Sequence, residues 1–367
     1  MNVVININTV LKSPGYDQSF VLVDCIYKII DAHPEHSFFI IPASGTTILL
    51  SKKNLTFVGS APKSTNVILW KIWYAYKLPM LLKKYKADIF INMDCICSLK
   101  TKVPQCLLVP DLSFSGHVAY FKKNIPVFFE KADSIITFSQ HIKNDICQQY
   151  PKIAPEKIAV IYNGVDETVL LQDEAGNTKE KYTEGKEYFL YIGDTNSQAN
   201  LISLLKAFSF FKKRQKSNMH LIIASSALLP GNALVKNLNT YKYRTDVQLL
   251  VDTKEEELIK IISNAYVFIY GLQPTGGYFP ILKAMQCEVP IIAGNSSVLA
   301  EIFGDGILFT DPAIFENIAD KMMILFKDEN KRTELIGRGK KLAANYPLST
   351  SNKLVWQNIQ KSATFTA

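Results

Sequence analysis

Apolar and polar positions follow two periods along this chain, and the periods take turns. Short β-rich apolar runs stand at residues 3–7, 37–41, 55–58, 88–92, 105–109 and 132–139. Each reads as a buried strand, being mostly apolar and too short for a helix. Between them the apolar spacing changes to three and four: over 17–32, Val21, Leu22, Cys25, Ile26, Ile29 and Ile30 mark one helical face, and 66–86 and 141–149 read as helices too. A second series repeats the alternation, with strands at 188–192, 219–224, 247–251, 267–270 and 289–293. Its helices fall at 200–213, 232–243, 255–265, 314–327 and 329–344, with a last one at 348–361. Strands alternating with helices predict mostly parallel, doubly wound sheets, hence an α/β protein with two Rossmann-like domains. The polar stretch 167–186, with Gly176, Asn177 and Gly185, separates the two series as a linker.

A length of 367 residues supports this division, because a single core rarely grows so large. The expected domains are 1–166 and 187–345, with 346–367 forming a terminal helix that returns to the first domain. Positive charge is concentrated in the first half: residues 1–165 hold 18 lysines, no arginine and 11 acidic residues. The missing arginines argue against nucleic acid, whose bases and phosphates favour forked donors. Solvated surface remains the plain reading of the lysines, and peripheral contact with an anionic membrane the second. Helix 66–86 carries Trp70, Trp73, Tyr74 and Tyr76 among lysines, a mixture that suits either a headgroup interface or an amphipathic helix whose aromatic side joins the core. Six cysteines lack paired C-x-x-C spacing, Cys95 and Cys97 fall on one strand face, and the chain start lacks a basic leader, so a cytoplasmic protein is expected.

The stretch 270–295 carries the most chemistry. Pro274 and the pair Gly276 and Gly277 break the chain after a strand, and Pro280 sits where a first helical turn tolerates a missing N–H. Glycine amides at a helix start, aided by the helix dipole, suit an anion such as phosphate, although such loops also occur without ligands.

The run G-x-x-P-x-L-x-A-M-x-C-x-V-P-I-I-A-x-N within this stretch resembles the donor-site segment of the retaining nucleotide-sugar glycosyltransferases of family 4, which have the GT-B fold of two Rossmann-like domains facing across a cleft. Further likeness lies in A-D-S-I-I-T-F-S-Q-H-I-K-N-D-I and P-E-K-I-A-V-I-Y-N-G-V-D, ending at Asp166, which resemble the family's passage out of its first domain. There Ser139 is a good N-cap. The resemblance implies metal-independent transfer of a hexose, with no cofactor, from a nucleotide sugar to a polysaccharide or lipid-linked acceptor. It also points to donor-side residues Gly193, Gln198, Asn200, Thr275, Gly276, Gly277 and Lys283, and acceptor-side residues Gly15, Pro110 and Asp111.

Several of these positions depart from the family pattern. Thr275 and Lys283 stand where the family has two glutamates, Gln198 and Ala199 where it has an Arg–Lys pair that holds the diphosphate, and Pro110 where it has a histidine. Asp194 adds a negative charge nearby. Losing one electrostatic donor to a leaving group typically costs about a hundred- to thousandfold in rate. Two readings follow: a working enzyme with a remodelled donor pocket, or a catalytically silent GT-B protein that binds a glycan, a nucleotide or a partner glycosyltransferase. Another two-domain enzyme such as an epimerase fits the motif order less well. Asp111 is a candidate catalytic group or a cap of the following turn. Lys283 either reaches back toward the phosphates, since helical side chains lean toward the N-terminus, or lies exposed on the surface.

Overall fold

A computed structural model describes residues 1–7, 18–42, 52–62, 66–93, 95–112, 118–166, 177–193, 198–225, 238–271 and 278–364. These form two compact units. Unit 1 contains most of residues 1–163 together with 348–367, and unit 2 contains 164–347.

Unit 1 is built on a parallel sheet of β1 (Asn2–Asn6), β2 (Ser37–Ile41), β3 (Leu55–Phe57), β4 (Ile89–Asn92), β5 (Gln105–Val109), β6 (Ser134–Thr137) and β7 (Ile158–Val160). Their order across the sheet is β3-β2-β1-β4-β5-β6-β7. The chain therefore winds one way from β1 and the other way from β4, and the direction reverses between these neighbours. Strands β4, β5 and β6 are buried along their whole length, which is why they read as unbroken apolar runs rather than alternating ones. Helix α1 (Gln18–Ala32) precedes β2.

The stretch 66–86 is not a regular helix. Helix α2 (Val67–Ile72) passes through a π-helical turn, Trp73–Lys77, into α3 (Leu78–Lys84). Such a turn inserts extra residues into the helical repeat and re-aims the side chains around it. Trp70, Trp73 and Tyr74 turn into the core, which is the second of the two readings of this stretch rather than the headgroup interface. Ile68, Leu69, Ile72, Tyr76 and Met80 face outward instead. Helix α4 (Ile125–Lys131) leads to β6, and α5 (Gln140–Gln149) to β7. Ser139 caps α5, its Oγ accepting from the Ile142 amide at 3.1 Å.

Unit 2 opens with α6 (Asn177–Thr183), so part of the stretch read as linker is ordered helix. Buried Thr178 and Thr183 anchor it, and Lys181 and Tyr182 both donate to Glu257 at 2.7 Å. Its sheet contains β8 (Tyr188–Ile192), β9 (His220–Ser225), β10 (Val247–Val251), β11 (Val267–Tyr270), β12 (Ile291–Gly294) and β13 (Leu308–Thr310), ordered β10-β9-β8-β11-β12-β13 and again parallel. The reversal here lies between β8 and β11. Helices α7 (Gln198–Gln215), α8 (Glu255–Ser263), α9 (Phe279–Gln286), α10 (Ser297–Phe303), α11 (Phe315–Lys327) and α12 (Glu329–Ala344) cover it. Phe189 meets Phe208 and Phe211 edge-on at the centre of the core. Half of the helix expected at 232–243, residues 232–237, lies outside the described residues.

The last helix, α13 (Leu348–Thr364), belongs to unit 1. Trp356 stacks on His33 at 4.3 Å, Ser351 Oγ donates to the Tyr162 carbonyl at 2.7 Å, and Ser362 bonds Ser134 at 2.6 Å. Entry to and exit from unit 2 are adjacent, since Val165 pairs with Pro347 and its amide bonds Tyr346.

Candidate functional site

In an open parallel sheet, ligands settle beyond the carboxyl ends of the strands where the winding direction reverses, because the loops there part and leave a crevice. In unit 2 that place lies beyond β8 and β11, whose ends Ile192 and Tyr270 pair in register. The residues that follow are Gly193 and Gly271. The Gly271 amide donates to the Ile192 carbonyl at 2.9 Å, and a methyl placed on Gly193 would stand 3.1 Å from the Gly271 Cα and 2.5 Å from the Tyr191 hydroxyl. Gly271 has a positive φ of 24°. Two backbones come this close only because neither residue carries a side chain.

From this floor the chain leads to two helix starts. Beyond Gly193 it reaches α7, whose first residue is Gln198 and whose Asn200 is buried in the first turn. Beyond Gly271 it reaches α9. Tyr278, the N-cap of α9, makes no side-chain capping bond, and its buried ring meets Phe303 edge-on at 5.8 Å. Pro280 occupies the first turn, where its absent N–H removes no helical bond. Thr275, Gly276 and Gly277 lie outside the described residues, as does Gly15 of unit 1.

Lys283 is not an exposed surface residue. It is 3% exposed, within a helix buried from Pro280 to Met285. Its ammonium donates to Gln286 Oε1 at 3.2 Å, and Gln286 Nε2 donates to the Asp166 carbonyl at 3.1 Å. A buried ammonium needs such acceptors because desolvation penalises its charge. That pairing ties α9 to the final residue of the N-G-V-D motif. Burial pushes the neighbouring Cys287 thiol up to about 11, against the opposing pull of Lys283, so this sulfur stays protonated and is a poor nucleophile at neutral pH.

The corresponding place in unit 1 is furnished differently. Asn6 and Asn92 end β1 and β4 as register partners, and Asn6 Nδ2 donates to Asn92 Oδ1 at 2.9 Å. Asn92 Nδ2 in turn donates to the Tyr74 hydroxyl at 3.2 Å and the Ile96 carbonyl at 2.5 Å. The π-helical turn brings Tyr74 into this network, and the Tyr74 carbonyl accepts from Ser98 Oγ at 2.7 Å. Cys95 and Cys97 belong to the loop after β4 rather than to a strand, with Cys95 at a positive φ of 58°. Pro110 and Asp111 follow the carboxyl end of β5, the next strand along, and both are half-buried.

Two family descriptions divide the chain along the same lines as the fold. Glycosyltransferase Family 4 matches residues 36–169, and Glycosyl transferases group 1 matches residues 174–342. The chain belongs to the group 1 glycosyltransferases of family 4 type. Among curated members, the O-antigen chain mannosyltransferase RfbU of Salmonella typhimurium strain LT2 is 26% identical over 66% of this chain and 67% of its own length. The O-antigen chain mannosyltransferase B of Escherichia coli is 24% identical over 68% of this chain and 64% of its own. The chain thus spans about two thirds of either relative. A glycosyltransferase from Rickettsia africae superposes with a TM-score of 0.79 at 15% identity, covering 99% of this chain and 98% of that one. WaaG, a glycosyltransferase involved in lipopolysaccharide biosynthesis, gives 0.73 at 14% identity, covering 98% and 99%. These likenesses show the fold, which is GT-B.

The sequence reading singled out the stretch 270–295 but gave no weight to Gly271, Asn6 or Asn92. Gly271 had a signal: it directly follows a strand and precedes the broken loop. The two asparagines had none, since each is one polar residue closing an apolar run, and only the strand order makes them neighbours.

Proposed function

We propose that this glycosyltransferase transfers a hexose, with retention, from a nucleotide sugar to a surface-polysaccharide or lipid-linked acceptor. Mannose is the first sugar to test, given the names of the curated relatives. The observation that carries the reading is the bare backbone floor of Gly193 and Gly271 where the unit 2 sheet reverses, since a diphosphate needs close approach to amides and helix starts rather than side-chain bulk. Helices α7 and α9 offer their positive ends to the departing diphosphate. Lys283, buried on α9, is the cation assigned to this pocket in place of the family's arginine and lysine. No metal is required in this scheme.

Thermal denaturation with uridine, guanosine and adenosine diphosphates and their hexose conjugates tests the reading. One nucleotide should raise the melting temperature, as a ligand at about 100 times its Kd stabilises by about 2.7 kcal/mol. Transfer to an acceptor, with the product anomer read by NMR, then separates turnover from binding. A chain that responds to none of these ligands is instead the silent partner subunit, a reading favoured by the absence of cationic side chains at 198 and 199.

Unit 1 supports work at a membrane surface. Ile68, Leu69, Ile72, Tyr76 and Met80 recur about every four residues along α2, the π turn and α3, and three of them exceed 60% exposure. Exposed Lys71, Lys77, Lys83 and Lys84 accompany this stripe. Apolar side chains with flanking ammonium groups match an anionic bilayer, where rings and alkyl chains enter the interface and lysines meet headgroups. No helix among the described residues is long and apolar enough to cross a membrane, so this contact is peripheral if the acceptor is lipid-linked.

A further inference from the structure

The turn joining α1 to β2 reads His33-Pro34-Glu35-His36 and lies at the amino end of β2, the opposite end of the unit 1 sheet from Asn6 and Asn92. Its backbone is closed by the His36 amide bonding the His33 carbonyl at 3.2 Å, and Asn54 Nδ2 holds the Ile30 and His33 carbonyls at 2.9 and 3.2 Å. The Glu35 carboxylate oxygen Oε1 stands 3.3 Å from His33 Nδ1 and 3.3 Å from His36 Nε2. One ligand atom from each residue lies within 4.8 Å of the other two.

We propose that His33, Glu35 and His36 form a binding site for a zinc-class divalent cation. Three observations carry this. Imidazole and carboxylate ligands hold zinc at about 2.0–2.2 Å, so the edge of a tetrahedral site is about 3.3–3.6 Å, a range that includes the 3.3 Å found here between the carboxylate and each imidazole. The His36 ring is turned so that Nε2 faces the carboxylate, while Nδ1 stands 3.2 Å from the Met1 amino nitrogen; with a metal on Nε2 the proton sits on Nδ1 and is donated to that amine in its neutral form. Finally, the ligands are held by their surroundings: the indole of Trp356 lies over both rings, 4.3 Å from His33 and 5.2 Å from His36. Two imidazoles and one carboxylate favour zinc, nickel or copper over magnesium or calcium, which prefer all-oxygen sites. All three side chains keep some exposure, so an ion enters from solvent and water completes its shell. The site is structural: the bound ion fastens the α1–β2 turn beneath α13 and stands apart from the sugar chemistry.

The test uses full-length, tag-free protein stripped with a chelator and desalted. Titration with zinc chloride should show one tight equivalent in the parent, and Glu35→Gln and His36→Gln should weaken it at least about tenfold, the least that disturbing even an outer-shell partner tends to produce. Nickel should quench the parent's tryptophan fluorescence, with most of the change lost in Trp356→Phe and in Glu35→Gln. The chelated Glu35→Gln protein should melt with the chelated parent, and only the parent should gain stability on adding zinc. If Glu35→Gln and His36→Gln bind zinc with the parent's stoichiometry and affinity, or the parent binds none, the carboxylate merely bridges two imidazoles and the proposal fails.

Discussion

The two sheets reverse direction in the same way and finish the reversal with opposite materials. In unit 1 the place is filled by amide side chains: Asn6 and Asn92 bond each other, Tyr74 and the Ile96 carbonyl. In unit 2, among the described residues, the backbone of Gly193 and Gly271 occupies it. A filled reversal point fixes the loops around it through bonds it already has. A stripped one leaves backbone for a guest to approach. One architecture is thus finished in two ways within a chain, and the proposed function places its anionic ligand in unit 2.

The largest effect should come from breaking the filled side. Asn92→Leu removes one buried partner each from the Asn6 amide, the Tyr74 hydroxyl and the Ile96 carbonyl, and should lower stability by about 3 kcal/mol in urea unfolding, with nucleotide affinity of the folded protein unchanged. On the stripped side, Gly193→Ala forces a methyl against the Tyr191 hydroxyl and the Gly271 backbone, so it should destabilise by about 2 kcal/mol and also abolish the nucleotide-induced melting shift. If Gly193→Ala retained that shift, the ligand would not sit on this floor and the contrast would fail. Lys283→Met keeps the shape of the buried chain and removes its charge. Calorimetry should record about a tenfold loss of nucleoside diphosphate affinity, equivalent to about 1.4 kcal/mol, and unchanged affinity would take Lys283 out of the pocket. The smallest change in stability, within about 0.5 kcal/mol, is expected for Ile72→Ser combined with Met80→Ser. That variant should nonetheless lose cosedimentation with anionic vesicles, and parental cosedimentation would remove the membrane role from unit 1.

Much of this architecture was legible in the chain because most of its strands are buried on both faces and its helices on one, so periodicity alone separated them. The Ser139 cap and the Pro280 start were legible for a related reason: each depends on neighbours within a few residues. What escaped was whatever depends on distant partners. Nothing local announces a π turn at Trp73–Lys77, which re-aims the side chains that follow it. Lys283 could not be read as buried, because its helix is enclosed by packing and its acceptor, Gln286, is in turn held by the carbonyl of Asp166. The stretch 167–186 read as linker because its composition is polar, yet residues 177–183 fold once Glu257 supplies an acceptor. His33, Glu35 and His36 escaped for a different reason: a turn rich in polar residues looks ordinary until an indole from the far end of the chain is found above it.

The chain leaves unit 1 after residue 163 and comes back at 348, which gives the two units unequal fates during synthesis. Unit 2 is drawn almost wholly from one segment, 164–347, with its ends paired through Val165 and Pro347, so nearly all of its packing partners are delivered together. The earlier-made unit must wait, with the places later taken by Trp356 and Ser362 open to water, until the ribosome has delivered its final helix. A stop codon near residue 347 would therefore injure the part of the protein translated first and spare the part translated last.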